Sequence, residues 1–162
     1  RLRSLVRGAA LALVLAACGH ASPPPPCEGS PPLALRFESD ARLNLDEKGN
    51  SLAVTLRVLQ LKNDRKLLES TFDDLLDRPA ETLGDTLLAT EELAVFPGSV
   101  VTRSYPRAAG AGVLGIVALF REPPGAFWRA ARAMPEPAPD HCRKPGVPPF
   151  VVRLQENRLD VR

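Results

Sequence analysis

The chain has 162 residues, enough for one domain plus a targeting segment, and its 25% charged and 44% apolar side chains are the balance of a soluble globular domain. The formal charge is +2, but Arg1, Arg3 and Arg7 fall in a segment expected to be removed, which leaves 21 − 3 = 18 Lys and Arg against 19 Asp and Glu, or −1. That near-neutral balance excludes an electrostatic case for binding nucleic acid.

Residues 1–17 read as a signal peptide, with a basic start at Arg1, Arg3 and Arg7 and an apolar run from Gly8 to Ala16. The run is shorter than the roughly 20 apolar residues that a membrane-spanning helix needs. It ends in Leu15-Ala16-Ala17-Cys18, which resembles the bacterial lipobox, where the cysteine becomes an acylated N-terminus. Each buried acyl CH₂ adds roughly 0.8 kcal/mol, so several chains would hold a domain on the membrane almost permanently. Gly19 follows, where inner-membrane lipoproteins tend to carry Asp, so the expectation is an outer-membrane lipid anchor facing the periplasm.

Residues 18–32 are then the lipidated Cys18 and a Pro-rich tether, which favours extended polyproline-like conformations, and residues 33–162 are the folded domain. Two cysteines remain, Cys27 and Cys142. In an oxidising periplasm they read either as a disulfide or as two separate thiols. A bridge would close a loop of over 100 residues, worth about 4–5 kcal/mol in the chain-entropy model.

From Leu33 to Leu45 apolar and polar residues alternate, with Leu33, Leu35, Phe37, Ala41, Leu43 and Leu45 on one face and Ser39 as the interruption. This pattern predicts a long half-buried strand. Asp46, Glu47, Lys48, Gly49 and Asn50 form a polar turn, with Gly49 and Asn50 suited to positive φ. A second strand is expected from Leu52 to Leu61, its phase slipping after Val58 as at a bulge. Helical spacing takes over from Asn63 to Leu76, with Leu68, Phe72, Leu75 and Leu76 as the apolar face. Pro79 should stop that helix and start a short second one, ended by Gly84.

Further strands are predicted over Leu87–Phe96, Ser99–Tyr105, Val113–Phe120 and Trp128–Met134, with Pro97-Gly98 as a turn and residues 135–149 irregular. Val113–Phe120 is apolar on both faces and should lie centrally in a sheet. Phe150 to Val161 reads as a hairpin about Glu156-Asn157-Arg158. Six to eight strands with short turns argue for an all-β, two-sheet sandwich with a small helical insertion between strands 2 and 3.

Catalytic chemistry finds little to work with. Histidines occur only at 20 and 141, in tether and loop, and no nucleophile elbow or phosphate-cradling glycine loop is present. Asp73, Asp74 and Asp77 read as a solvated helix face, and Trp128 as a core filler. A metal site would need more ligands at close spacing than His141 beside Cys142. The expectation is a non-enzymatic protein with no cofactor and no metal.

Taken in order, the lipobox, Leu43-Asn44 at the end of the first strand, the Gly49 turn, Gln60-Leu61, Phe72, Leu83-Gly84-Asp85, Pro97-Gly98, Gly115, Ala118, Phe120 and Trp128 resemble the TssJ (VasD, SciN) lipoproteins of type VI secretion systems. The resemblance spans roughly residues 33–134. Leu45 stands where that family often has Pro, Leu59 where an aromatic often precedes Gln-Leu, and the segment around Cys142 has no counterpart. The resemblance implies a transthyretin-like sandwich with an added helical piece. It also implies a role: anchoring the membrane complex to the outer membrane by binding the periplasmic domain of TssM, and through it TssL, with the loop Asp46, Glu47, Lys48, Gly49 and Asn50. The alternative is a periplasmic sandwich lipoprotein that binds carbohydrate or peptidoglycan.

Overall fold

The computed structural model describes residues 25, 27–123, 125–143 and 149–162. Eight strands occur among them: β1 (Leu33–Leu43), β2 (Val54–Leu61), β3 (Leu87–Val95), β4 (Val100–Tyr105), β5 (Val113–Ala118), β6 (Arg129–Ala133), β7 (Phe150–Glu156) and β8 (Arg158–Val161). They form two four-stranded sheets in the orders β4-β1-β7-β8 and β3-β2-β5-β6. All neighbours run antiparallel except β1 and β7, which are parallel, Leu35 opposite Phe150 and Ser39 opposite Leu154. This is the expected all-β, two-sheet sandwich. Leu33, Leu35, Phe37, Val152 and Leu154 of one sheet and Val54, Leu56, Val58, Leu114 and Ile116 of the other are buried in one apolar cluster, the period-2 signature of facing sheets.

The first strand is shorter than its alternation suggests. Pairing with β4 ends at Glu38, and the register against β7 shifts between Ser39 and Leu43, which turns Ala41 out to solvent. Asn44, at φ 47°, then breaks the strand before Leu45. Ser39, the polar interruption, is bonded to the β3–β4 turn: its hydroxyl donates to the Phe96 carbonyl (2.6 Å) and accepts from the Ser99 N–H (3.0 Å). The phase slip expected in β2 has a different origin. Leu59 and Leu61 are buried because the sheet's outer face is itself covered, and the register shift falls later, between Gln60 and Leu61.

The cover is the helical insertion between β2 and β3, which comprises α1 (Arg65–Glu69), α2 (Phe72–Asp77) and α3 (Pro79–Leu83). The single helix expected over 63–76 is broken at Ser70 and Thr71, both extended. Thr71 caps α2: its hydroxyl oxygen accepts from the Asp74 N–H (3.2 Å), while the Asp74 carboxylate accepts from the Thr71 hydroxyl (2.6 Å) and N–H (3.4 Å). Restarting the helix resets its phase, so Leu67 and Leu75 are buried and Phe72 partly so, whereas Leu68 and Leu76 face solvent. Pro79 sits at the start of α3 as expected.

Two sheet arginines hold these short helices by their carbonyl ends. Arg57 donates to the carbonyls of Leu75 and Leu76 and pairs with Glu92 at 2.6 Å. Arg129 donates to the carbonyls of Leu67 and Ser70 and lies 4.7 Å from the Trp128 ring centroid. Trp128 is a core filler, as expected, packed edge-on against Phe72 at 5.1 Å.

The insertion approaches β5 where it has no side chain. A Cβ on Gly115 would meet Leu67 Cδ2 at 2.8 Å, Leu61 Cδ1 at 3.1 Å and Leu59 Cβ at 3.3 Å. Gly115→Ala is therefore expected to destabilise the fold by about 1–3 kcal/mol, the usual cost of overpacking. Urea unfolding of the variant checks this, and pairing it with Leu67→Ala should recover part of the loss.

Candidate docking face at the loop end

Strand direction sorts the connections into two ends. Residues 27–32, the helical insertion, residues 106–112 and residues 134–143 lie at one end; residues 44–53, 96–99, 119–123, 125–128 and Asn157 lie at the other. β1 has 11 residues, so the two ends lie about 35 Å apart at roughly 3.3 Å per residue.

The tether is rooted at the first end. Cys18 lies outside the described residues. Cys27 and Cys142 form the disulfide, with their Cα atoms 5.8 Å apart. The Cys27 N–H donates to the Pro139 carbonyl (2.9 Å), and Arg143 donates to the Pro25 carbonyl. His141, beside the bridge, has Nδ1 2.9 Å from the Ala138 carbonyl.

At the far end the chain does not make a hairpin between β1 and β2, because the two strands belong to different sheets. It crosses over, and buried Asn44 manages the crossing. Its amide donates to the Ala53 carbonyl (2.8 Å), its side-chain oxygen accepts from the Arg121 N–H (2.9 Å), and its own N–H donates to the Glu156 carbonyl (2.9 Å). Asparagine tolerates this left-handed conformation better than most residues.

Beyond it Asp46 organises the loop. One carboxylate oxygen accepts from the N–H groups of Lys48 (2.9 Å) and Asn50 (2.8 Å), and the other from the Asn50 side-chain amide (2.9 Å). The Asp46 carbonyl accepts from the Gly49 N–H, and the Asp46 N–H donates back to the Asn50 carbonyl, each at 2.9 Å. Gly49 sits at φ 79°, where a side chain would be strained. Asp46, Gly49 and Asn50 thus build the loop, while Glu47 and Lys48 stand exposed, their side chains engaged by no hydrogen bond or ion pair among the described residues.

Around this loop lie groups that the sequence did not single out. Arg158 stacks over the ring of Phe127 at 3.6 Å, and the Asn157 amide donates to the Glu122 carbonyl (3.1 Å). Leu45, Glu156, Asn157 and Arg158 line a shallow open depression beside the loop. Phe96 (63% exposed), Val100 (56%) and Phe127 (47%) are also at this end, so three of the five exposed large apolar residues among those described gather there. Phe96 and Val100 stand at the β3 and β4 edge of this end and Phe127 at the opposite, β6 and β8 edge, and single exposed apolar residues are ordinary. The available sequence signals were Asn at a strand end and an aromatic after a Pro-Gly loop, both too common to select.

The Asn50 side-chain amide, then the Asn50 and Lys48 N–H groups, hold the Asp46 carboxyl below the ordinary aspartate range, with a smaller contribution from the charge of Arg121. A carboxylate depressed in the folded state lends stability that is present above its unfolded pKa and lost as pH falls through the folded one. An NMR titration of the Asp46 carboxyl carbon is expected to give a midpoint below about 3.9, the ordinary value. Asp46→Ala should speed amide exchange at Lys48 and Asn50 several-fold at neutral pH and leave exchange in β5 unchanged.

The model of the type VI secretion lipoprotein family (VasD, EvfM, TssJ) matches residues 31–157. Among curated proteins no match is found. Solved structures share the fold. The type VI secretion lipoprotein TssJ1 from Pseudomonas aeruginosa is 21% identical with a TM-score of 0.70, over 85% of this chain and 96% of that one. A chain of a structure described as a type VI membrane complex is 24% identical with a TM-score of 0.70, over 82% and 98%. A chain of a structure described as the TssM C-terminal domain from EAEC is 21% identical with a TM-score of 0.66, over 82% and 98%.

Proposed function

The chain belongs to the type VI secretion lipoprotein family, and on that premise we propose that it anchors a type VI membrane complex to the outer membrane. In this reading residues 1–17 are removed, acyl chains on Cys18 insert in the outer membrane, and residues 18–32 lead to the sandwich of residues 33–162. The face around Asp46, Glu47, Lys48, Gly49 and Asn50 grips the periplasmic domain of TssM, and through it TssL. The task is mechanical and needs no catalytic group.

The observation that carries the proposal is a stiff loop with two unengaged charged side chains, about 35 Å from the tether root. A body held at one end and gripped at the other needs this polarity. Preorganisation lowers the ordering cost of docking. The exposed Phe127, backed by Arg158, supplies the aromatic-arginine pairing typical of interface anchors. Two of the structures that share the fold are described as a type VI membrane complex and as a TssM C-terminal domain, which supports the choice of partner.

Cys18→Ser is expected to move the protein from the outer-membrane fraction to the soluble periplasm. Exchanging the two free charges, Glu47→Lys with Lys48→Glu, preserves net charge and leaves the Asp46 hydrogen bonds in place. It is expected to weaken binding of a purified TssM periplasmic fragment by about tenfold or more, and Phe127→Ala by a comparable factor. Calorimetry on the folded variants measures this, and unchanged affinity in the charge exchange would show that the loop is not the docking element.

A further inference from the structure

Among the described residues no element covers the outer face of β7 and β8, where Arg153, Gln155, Arg158, Asp160 and Arg162 are exposed. With Phe127 they line an open cleft of about 400 Å³. Most of the charge around it is already matched. Glu38 pairs with Arg36 (2.7 Å) and Arg153 (3.3 Å), Asp160 with Arg162 (2.8 Å), and Glu156, at the turn, with Arg42 (3.5 Å). Arg158 is the exception. Its Cζ lies 3.6 Å from the Phe127 ring centroid, and its guanidinium makes no hydrogen bond or ion pair among the described residues.

The surroundings fix where those free donors stand. The Phe127 carbonyl accepts from the Leu159 N–H (2.8 Å), which ties the backbone under the ring to the residue after Arg158. Glu156 and Asn157 make a two-residue turn that sets Arg158 directly across from Gln155. Glu156 takes φ 51°, a place that glycine fills at less cost, and the Asn44 N–H holds its carbonyl at 2.9 Å. Cross-strand neighbours on one face have Cβ atoms about 5 Å apart. The Gln155 side-chain amide is likewise unengaged among the described residues. A guanidinium stacked on a ring keeps its in-plane N–H fork free, and that fork matches the two oxygens of a carboxylate. The acids nearby select further. Glu156 and Asp160 flank Arg158 in the chain, so a surface dense in negative charge meets more repulsion there than one carboxylate on a neutral segment.

We propose that Arg158, seated on Phe127 and paired across the strands with Gln155, is a binding site for an Asp or Glu side chain of a partner protein. The site is set by this chain's own geometry. That the carboxylate belongs to TssM rests on the docking role proposed above, so the test uses neither TssM nor the loop of residues 46–50.

NMR titration of the mature chain, disulfide intact, uses a capped heptapeptide whose central glutamate is flanked by serines, and its glutamine counterpart. The glutamate peptide is expected to shift the Arg158 Nε–H and the Gln155 side-chain amide saturably, and further than the Nε–H of Arg65 on the insertion or Arg103 on β4. The glutamine peptide should leave both in place. Arg158→Ala is expected to weaken apparent affinity at least about threefold and Arg158→Lys nearly as much, because the charge returns without the stacked fork, whereas Arg65→Ala should change it less than about 1.5-fold. If Arg158→Ala disturbs the turn, the wild-type signals carry the comparison. No saturable shift, equal shifts at all three arginines, an equal response to the glutamine peptide, or full binding by Arg158→Lys would each overturn the proposal. Phosphatidylglycerol vesicles form the last arm. If they perturb the Arg158 signal and the glutamate peptide does not, the site meets a membrane surface and the assignment to a protein carboxylate is wrong; where both act, the peptide comparison decides.

Discussion

Buried Asn44, through its side-chain amide and its own backbone N–H, governs the end of the molecule on which the functional reading depends. It binds the far side of its own loop through Ala53, the β5–β6 connection through Arg121, and the β7–β8 turn through the Glu156 carbonyl. Three connections from two sheets are thereby held at fixed separation. A buried polar side chain costs stability unless its donors and acceptors are met, and here the amide donor and the carbonyl oxygen each have a partner. The stiffness of the 46–50 loop follows from this fixed base together with the carboxylate of Asp46.

The opposite end adds a covalent link to the same device. Its connections are longer, and the apolar interior reaches them through buried polar anchors and covalent closure. Gln60 donates to the Pro106 carbonyl and accepts from the Ala108 N–H, each at 2.8 Å, which fixes the loop that precedes β5. Arg107 then reaches the segment after β6, and the disulfide ties that segment to the chain before β1. The sandwich is thus closed at the docking end by the side chains of Asn44 and Asp46, and at the tether end by those of Gln60 and Arg107 together with a disulfide.

Much of this was legible in the residues. Strict alternation from Leu33 to Phe37, the both-face apolar run in β5 and the turn residues Gly49 and Pro97-Gly98 placed strands and sheets, because a half-buried strand can hardly be written otherwise. The insertion was legible as helical but misread in phase. The Thr71-x-x-Asp74 capping pattern interrupts it, and capping costs a helix its continuity even when the apolar spacing runs on. Ala41 and Leu45 were misplaced because a register shift and one positive φ lie outside any periodic pattern. Of the docking loop, residues 46–50 were visible as a turn, but the division of labour between Asp46, which builds it, and Glu47 and Lys48, which are left free, depends on hydrogen bonds that spacing does not encode.

The helical insertion carries a consequence of its own. Helices of five and six residues have almost no standing in water, since nucleation costs more than so few hydrogen bonds return. Their order is borrowed from Arg57, Arg129 and the vacancy at Gly115, all of which belong to the underlying sheet. The segment from 62 to 86 is for that reason not a portable module. Grafted onto another sandwich without those three residues it would arrive as an unstructured loop, and it should melt with the sheet beneath it as one cooperative unit.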